Sequence, residues 1–297
     1  MSNWQQRFTY SVNGTWLKGN THTHTTASDG GLEVPEIAEL YASADFDFVF
    51  ITDHMAPSKE QQSGNTYPLQ VFDGVEIHGV DGRGGFYHVI CLGSFTGISA
   101  DMEFEAALSR CREQDAVVIL AHPAWTGNTV EETLAHEFHC VEIYNNICRK
   151  LNGKGTALVH WDRLLEEHRT VFGISCDDAH LTQRLPAWNG GWIMVNAEAC
   201  SSQAVLAAIR SGNFYSTQGP SIHTMEATED NLSVTGSPIQ YARLVGRRSQ
   251  GFPFCVAADD NGMTSYQLPL LEKFDYLRLE IEDINGKRAW TNVLFSD

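Results

Sequence analysis

Thr21-His22-Thr23-His24-Thr25-Thr26-Ala27-Ser28-Asp29-Gly30 comes just after the short run Trp16-Leu17-Lys18. If that run is a strand, its side chains alternate faces, so His22 and His24 point the same way. Two imidazoles on one face at a strand end are placed to hold one metal ion. The competing reading is a polar loop that contains histidine. Asp29 follows, and Gly30 and Gly31 are expected to give the backbone freedom to turn.

Beyond this stretch, short apolar runs of strand length alternate with helical spacing. Strands are predicted at 46–51, 72–77, 87–92, 117–120, 141–144, 171–175 and 191–195, and helices at 33–44, 101–114, 155–168 and 201–210. Pro35 sits in the first turn of the first helix, and Asp101 is the expected N-cap of the second. This alternation predicts a parallel α/β architecture. The runs end in chemistry-bearing residues: Thr52-Asp53-His54, Ala121-His122-Pro123, Asn145, and Cys176-Asp177-Asp178-Ala179-His180. In a parallel barrel the active site forms at such strand ends. Six of the twelve histidines, His22, His24, His54, His88, His122 and His180, fall at or near them. His78, His136, His139, His160, His168 and His223 are expected to be ordinary helix or loop residues.

Composition narrows the function classes. The chain has 297 residues, with 20 basic against 37 acidic side chains and a net charge of −17. An acidic surface of this kind argues against nucleic-acid backbones and anionic membranes as general partners. An anionic substrate would need local cationic help, for which metal ions are one source. The seven cysteines are scattered, without a Cys-x-x-Cys pair, and predict neither a disulfide framework nor a thiolate zinc site. Residues 1–10 lack the apolar core of a signal peptide, and no run approaches the ~20 apolar residues of a membrane span, so a cytoplasmic location is expected. No dinucleotide fingerprint, P-loop or nucleophile elbow is present.

Near Gly219-Pro220 helical periodicity fades. Alternating runs at 232–234, 242–245, 254–257 and 276–281, and Asn285-Gly286 as a hairpin signal, predict a small antiparallel β module. The expected division is residues 1–220 and 221–297.

Taken in order, His22-x-His24 with Ser28-Asp29-Gly30, Thr52-Asp53-His54, Gly74-Val75-Glu76, His88, His122-Pro123 and Asp178-Ala179-His180 resemble the PHP family (polymerase and histidinol phosphatase domains). The resemblance spans residues 18–180. It implies a distorted (β/α)7 TIM-like barrel and a metal-dependent phosphoesterase with two or three divalent ions. His22, His24, Glu76 and Asp178 would hold one ion; Glu76, His88 and His122 a second, with Glu76 bridging; Asp29, His54 and His180 a third. The β tail resembles, more loosely, the extension of a PHP subgroup that includes CehA-like proteins.

The implied donors are all nitrogen and oxygen, which suits zinc, manganese or iron. A bridging carboxylate sets two ions about 3.5–4 Å apart, the arrangement used to activate water to hydroxide for phosphate-ester hydrolysis. Beside the bridging Glu76, the catalytic candidates are His54 or His180 as general acid and Arg184 as a phosphate clamp, with Lys18 a weaker clamp. Asp53 and Asp177 either orient histidines or end strands, and Tyr144 and Asn145 are candidates to line the substrate pocket. The expected substrate is a small phosphorylated metabolite or nucleotide. The alternatives are an esterase or amidase acting on an uncharged substrate, and a non-catalytic binding module.

Overall fold

Strand β1 (Thr15–Asn20) is the pivot of the sheet. On one side it runs parallel to β2 (Phe48–Ile51), with Gly19 opposite Phe48, and β2 runs parallel to β3 (Gln70–Val80). A side chain on Gly19 would enter the Phe48 ring, so only glycine lets these strands pair here. Then β4 (Phe86–Leu92) turns back antiparallel and pairs antiparallel with β5 (Val117–Leu120), after which β5, β6 (Cys140–Asn145) and β7 (Phe172–Cys176) are parallel. On the other side β1 pairs antiparallel with β8 (Trp192–Ala197), and β8 with β9 (Phe214–Thr217). The computed structural model describes residues 8–10, 14–167, 170–228, 230–248, 255–258, 262–270 and 276–296. The expectations for 1–7, for His168 and for residue 254 lie outside the described residues.

The sheet is therefore mixed, where an all-parallel one was expected. Only Asp81–Gly85 separates β3 from β4, and a parallel crossover needs roughly a dozen residues or more. Asp81 Oδ1 accepts the N–H groups of Arg83 and Gly85, which closes the hairpin. The predicted helices form over Val34–Ala42, Phe104–Glu113, Leu158–Glu166 and Ser202–Arg210. Glu103 rather than Asp101 occupies the second N-cap; Asp101 accepts from the Ser99 hydroxyl instead. Among the described residues no helix is long and apolar enough to cross a membrane.

Alternation along β2 shows how the layers form. Phe48 and Phe50 join a cluster with Phe72, Ile119, Ile174 and Val195, which come from strands on both sides of the sheet order. Val49 and Ile51 pack instead against Ile37 and Tyr41 of the first helix. The far edge of β7 meets β9 through side chains: Ser175 N donates to Ser216 Oγ at 2.8 Å, and Ser216 Oγ donates to Gly173 O at 2.8 Å.

The tail comprises β10 (Ile222–Ala227), β11 (Asn231–Ile239), β12 (Tyr241–Val245), β13 (Cys255–Ala257), β14 (Met263–Pro269), β15 (Tyr276–Glu282), β16 (Arg288–Thr291) and β17 (Phe295–Ser296). Strands β10, β11 and β14 form a separate sheet, while the run β13-β12-β15-β16 continues the main sheet through β9. Two tail residues enter the main body. Trp290 is buried in the cluster that holds Val141 and Ile143, and Asn292 Oδ1 accepts from Gly173 N at 2.9 Å.

Candidate metal centre

Past β1 the chain stays extended between two neighbours. His24 N donates to Ala179 O, Ala179 N to His22 O, and Thr52 N to Thr23 O. This lattice fixes His22 and His24 on one side, both fully buried. Their Nε2 atoms are 3.1 Å apart. Glu76 Oε2 lies 3.1 Å from the first and 3.2 Å from the second, and Asp178 Oδ1 lies 3.2 and 3.3 Å from them. Each carboxylate oxygen thus closes a triangle with the two imidazole nitrogens, and three donors spaced in this way can lie about 2 Å from a common point, the bond length of zinc to imidazole or carboxylate. Asp178 Oδ1 is buried and has no hydrogen-bond partner, so the donors present fit a cation.

Glu76 faces two ways. Its Oε1 is 2.7 Å from His88 Nδ1 and 3.4 Å from His122 Nε2, while its Oε2 also lies 3.2 Å from His54 Nδ1. At the outer side, His180 Nε2 and His54 Nε2 are 3.2 and 3.8 Å from Asp29 Oδ2, and His24 Nδ1 is 3.5 Å from Asp29 Oδ1. All nine predicted ligands fall in overlapping groups of convergent donor atoms: His24, Asp29, His54 and His180; His22, Glu76 and His122; His22, His24 and Asp178; and His54, Glu76 and His88.

A buried carboxylate that the motif reading missed orders this arrangement. Glu142 Oε1 is 2.7 Å from His22 Nδ1, so the carboxylate holds a proton on that nitrogen and Nε2 is the nitrogen turned toward the other donors. Glu142 Oε2 accepts from His122 N and from Asn145 Nδ2, and the same amide donates to Asp178 Oδ2 at 3.1 Å. His180 Nδ1 donates to the Asp178 carbonyl, which leaves its Nε2 facing Asp29. The signal in the sequence is a lone carboxylate in the apolar run Val141-Glu142-Ile143, since a charge there needs a partner.

Burial opposes charge on His22 and His24, but Asp178 and Glu76 outweigh it, aided at His22 by Glu142. They hold His22 well above the usual imidazole range and raise His24 to about 9. Glu76 is likewise penalised by burial, yet the facing histidines hold it well below the usual carboxylate range. Asp29 is lowered to about 2, chiefly by His180 acting against partial burial. His54 moves the other way: burial takes it to about 4. The buried carboxylates thus demand positive charge, which protons on the histidines supply when no other cation does.

Other predicted residues sit elsewhere. Arg184 is exposed and has no ion pair among the described residues. Lys18 Nζ donates to Ala44 O and lies over the Phe46 and Trp192 rings, away from any clamp role. Asp53 accepts from Thr25 and Ser28, and Asp177 from Asn20, Tyr41, Asn146 and the amides of Asn189 to Gly191, so both anchor loops rather than histidines. His78, expected to be ordinary, packs against His54 and stacks on His88. Phe86 and Trp125, both partly exposed, flank His88.

Backbone strain gathers here. His122 and Asp178 have positive φ, as do Met55 and Leu181, which follow His54 and His180. Gly30 and Gly31, expected to turn freely, do not have positive φ; a side chain on either would strike the carbonyl of His24 or Leu181, so close approach is what they provide.

No family model and no curated protein matches this chain. Among solved structures, the chain is similar to a two-domain protein from Bacteroides vulgatus containing a predicted PHP-like metal-dependent phosphoesterase. The match has a TM-score of 0.56 at 14% identity and covers 99% of this chain and 100% of that one. A protein from Bifidobacterium adolescentis described as a metal-dependent phosphoesterase aligns over 59% of this chain and 92% of its own, with a TM-score of 0.43 at 14% identity. The full-length match shows a shared fold, tail included.

Proposed function

We propose, from this PHP-like fold, that the chain is a metal-dependent phosphoesterase acting on a small phosphorylated metabolite or nucleotide. In this reading residues 1–220 form a catalytic barrel of seven β/α units and 221–297 a β module docked on it. The observation that carries the proposal is Glu76, whose two oxygens face separate sets of histidines.

Divalent ions held by these side chains would polarise a phosphoryl oxygen and activate water at neutral pH. The chain's own residues do the rest. Glu76 joins the two inner donor sets and offsets the charge that both attract. Glu142 keeps the His22 proton on Nδ1, so Nε2 stays available. His54, taken to about 4 by burial, offers a lone pair at neutral pH rather than a proton. His180 is the other proton-donor candidate, its Nε2 3.2 Å from Asp29 Oδ2. Arg184, exposed four residues beyond His180 in sequence, would meet phosphate with two N–H groups.

A second reading, hydrolysis of an uncharged ester or amide, is favoured by Phe86 and Trp125 at the rim and by the cluster carboxylates, whose ion partners among the described residues are histidines alone. The test is a panel of phosphorylated metabolites, nucleotides and neutral esters offered to metal-loaded protein. Phosphate release that stops on chelation and returns with metal supports the proposal. Turnover of neutral esters alone moves the assignment to the second reading.

A further inference from the structure

A pocket of about 580 Å³ lies where the main body meets the tail, and none of its lining residues belongs to the metal centre. Helix Asn146–Asn152 contributes Arg149 and Lys150, and the β15–β16 hairpin contributes Lys287 and Arg288. Trp188 and Tyr144 supply aromatic walls, and among the described residues no carboxylate lines the pocket.

This concentration of cations runs against the rest of the molecule, which carries 37 acidic side chains against 20 basic ones. Arg288 is already engaged, at 3.2 Å from Glu282 and 3.5 Å from Glu280. Arg149, Lys150 and Lys287 have no ion pair among the described residues, and all three are exposed at the pocket wall. Like charges facing one cavity repel, and an anion between them relieves that repulsion. The volume is that of a small-molecule site, and amide side chains from Asn146 and Gln218 add polar contacts beside the aromatic faces.

We propose that this pocket is a second binding site, for a small organic anion whose phosphate or carboxylate meets Arg149, Lys150 and Lys287 while its ring packs on Trp188. The site is independent of the reading of the metal centre. Its walls nevertheless touch that centre's supports: the amides of Asn189 and Gly190 are held by Asp177, and the helix carrying Arg149 is capped by Asn145, which donates to Asp178.

The probes are phenylphosphonate, whose carbon–phosphorus bond resists phosphoesterases, and benzoate. Binding is followed by tryptophan fluorescence and calorimetry on the full chain, metal-loaded and chelator-treated. Saturable binding that survives chelation and weakens about tenfold or more in the Arg149→Glu, Lys287→Glu double variant supports the site. Thermal melting and metal content of that variant, and the milder Lys287→Ala, show whether the fold is kept. Binding that vanishes on chelation places the anion on the metals and overturns the proposal. So does binding unchanged by charge reversal in a folded variant, or no saturable binding of either probe.

Discussion

His22 Nδ1 and Glu142 Oε1 are 2.7 Å apart, both sealed from solvent. The carboxylate decides which ring nitrogen holds the proton, and hence which faces the centre. Glu142→Gln keeps shape and volume but removes that preference. Metal affinity should fall about 10–100-fold while the fold persists. Chelator competition on the purified variant measures this, and an affinity equal to wild type would show that Glu142 is only a strand residue.

The protein should carry at least about two transition-metal ions per chain, and loading them should release protons. His24, raised to about 9, and His22, also raised, are protonated in metal-free protein at pH 7. A cation must displace those protons, so apparent affinity should climb as pH rises from 7 through 9. Calorimetry in buffers of different ionisation enthalpy reads the proton count directly. Metal uptake with no proton release would refute the assignment of His22 and His24 as ligands.

Glu76→Ala should be the most damaging single change. It leaves both inner donor sets without the charge that joins them, and kcat should drop about 10²-fold or more. A variant with near-normal turnover would mean that another carboxylate takes this place.

Asp29 is half exposed and meets its histidines from the outer side. Asp29→Ala should therefore lower metal content by at most about one ion and leave the inner donors loaded. Hydrolysis of a phosphomonoester should fall more than hydrolysis of an activated neutral ester. Elemental analysis with both rates on one preparation tests this, and loss of every ion would mean the donors do not act as separate sets.

Deleting 221–297 should yield insoluble or poorly folded protein. It removes Trp290 from the main core and Asn292, whose side chain bonds Gly173, Gly212 and Phe214. A soluble, metal-loaded and inactive fragment would instead place the tail in the chemistry.

Much of the centre was legible because ligands come as short local signatures. Alternation alone puts His22 and His24 on one side, and His54, His122 and Asp178 follow apolar runs. His88 was readable as a residue but not as to how it arrives: β4 runs backward, so its first turns, not its last, reach the rim. The spacing Asp81–Gly85 held that information, being too short for a crossover. Glu142 and Asn145 carry no motif, and their partners are distant in sequence. The donor Lys18 looked free in one dimension and is committed to Ala44 and two rings in three.

Asn145 occupies one oxygen of Asp178 and leaves the other bare. A cation held through Asp178 would meet one oxygen, since gripping both would break the amide bond. Calcium takes six to eight oxygens, often two from one carboxylate, whereas zinc is content with four donors. Size selection would then rest on an amide that holds no ion itself: calcium should compete poorly with zinc or manganese, and Asn145→Ala should narrow that gap in a competition titration.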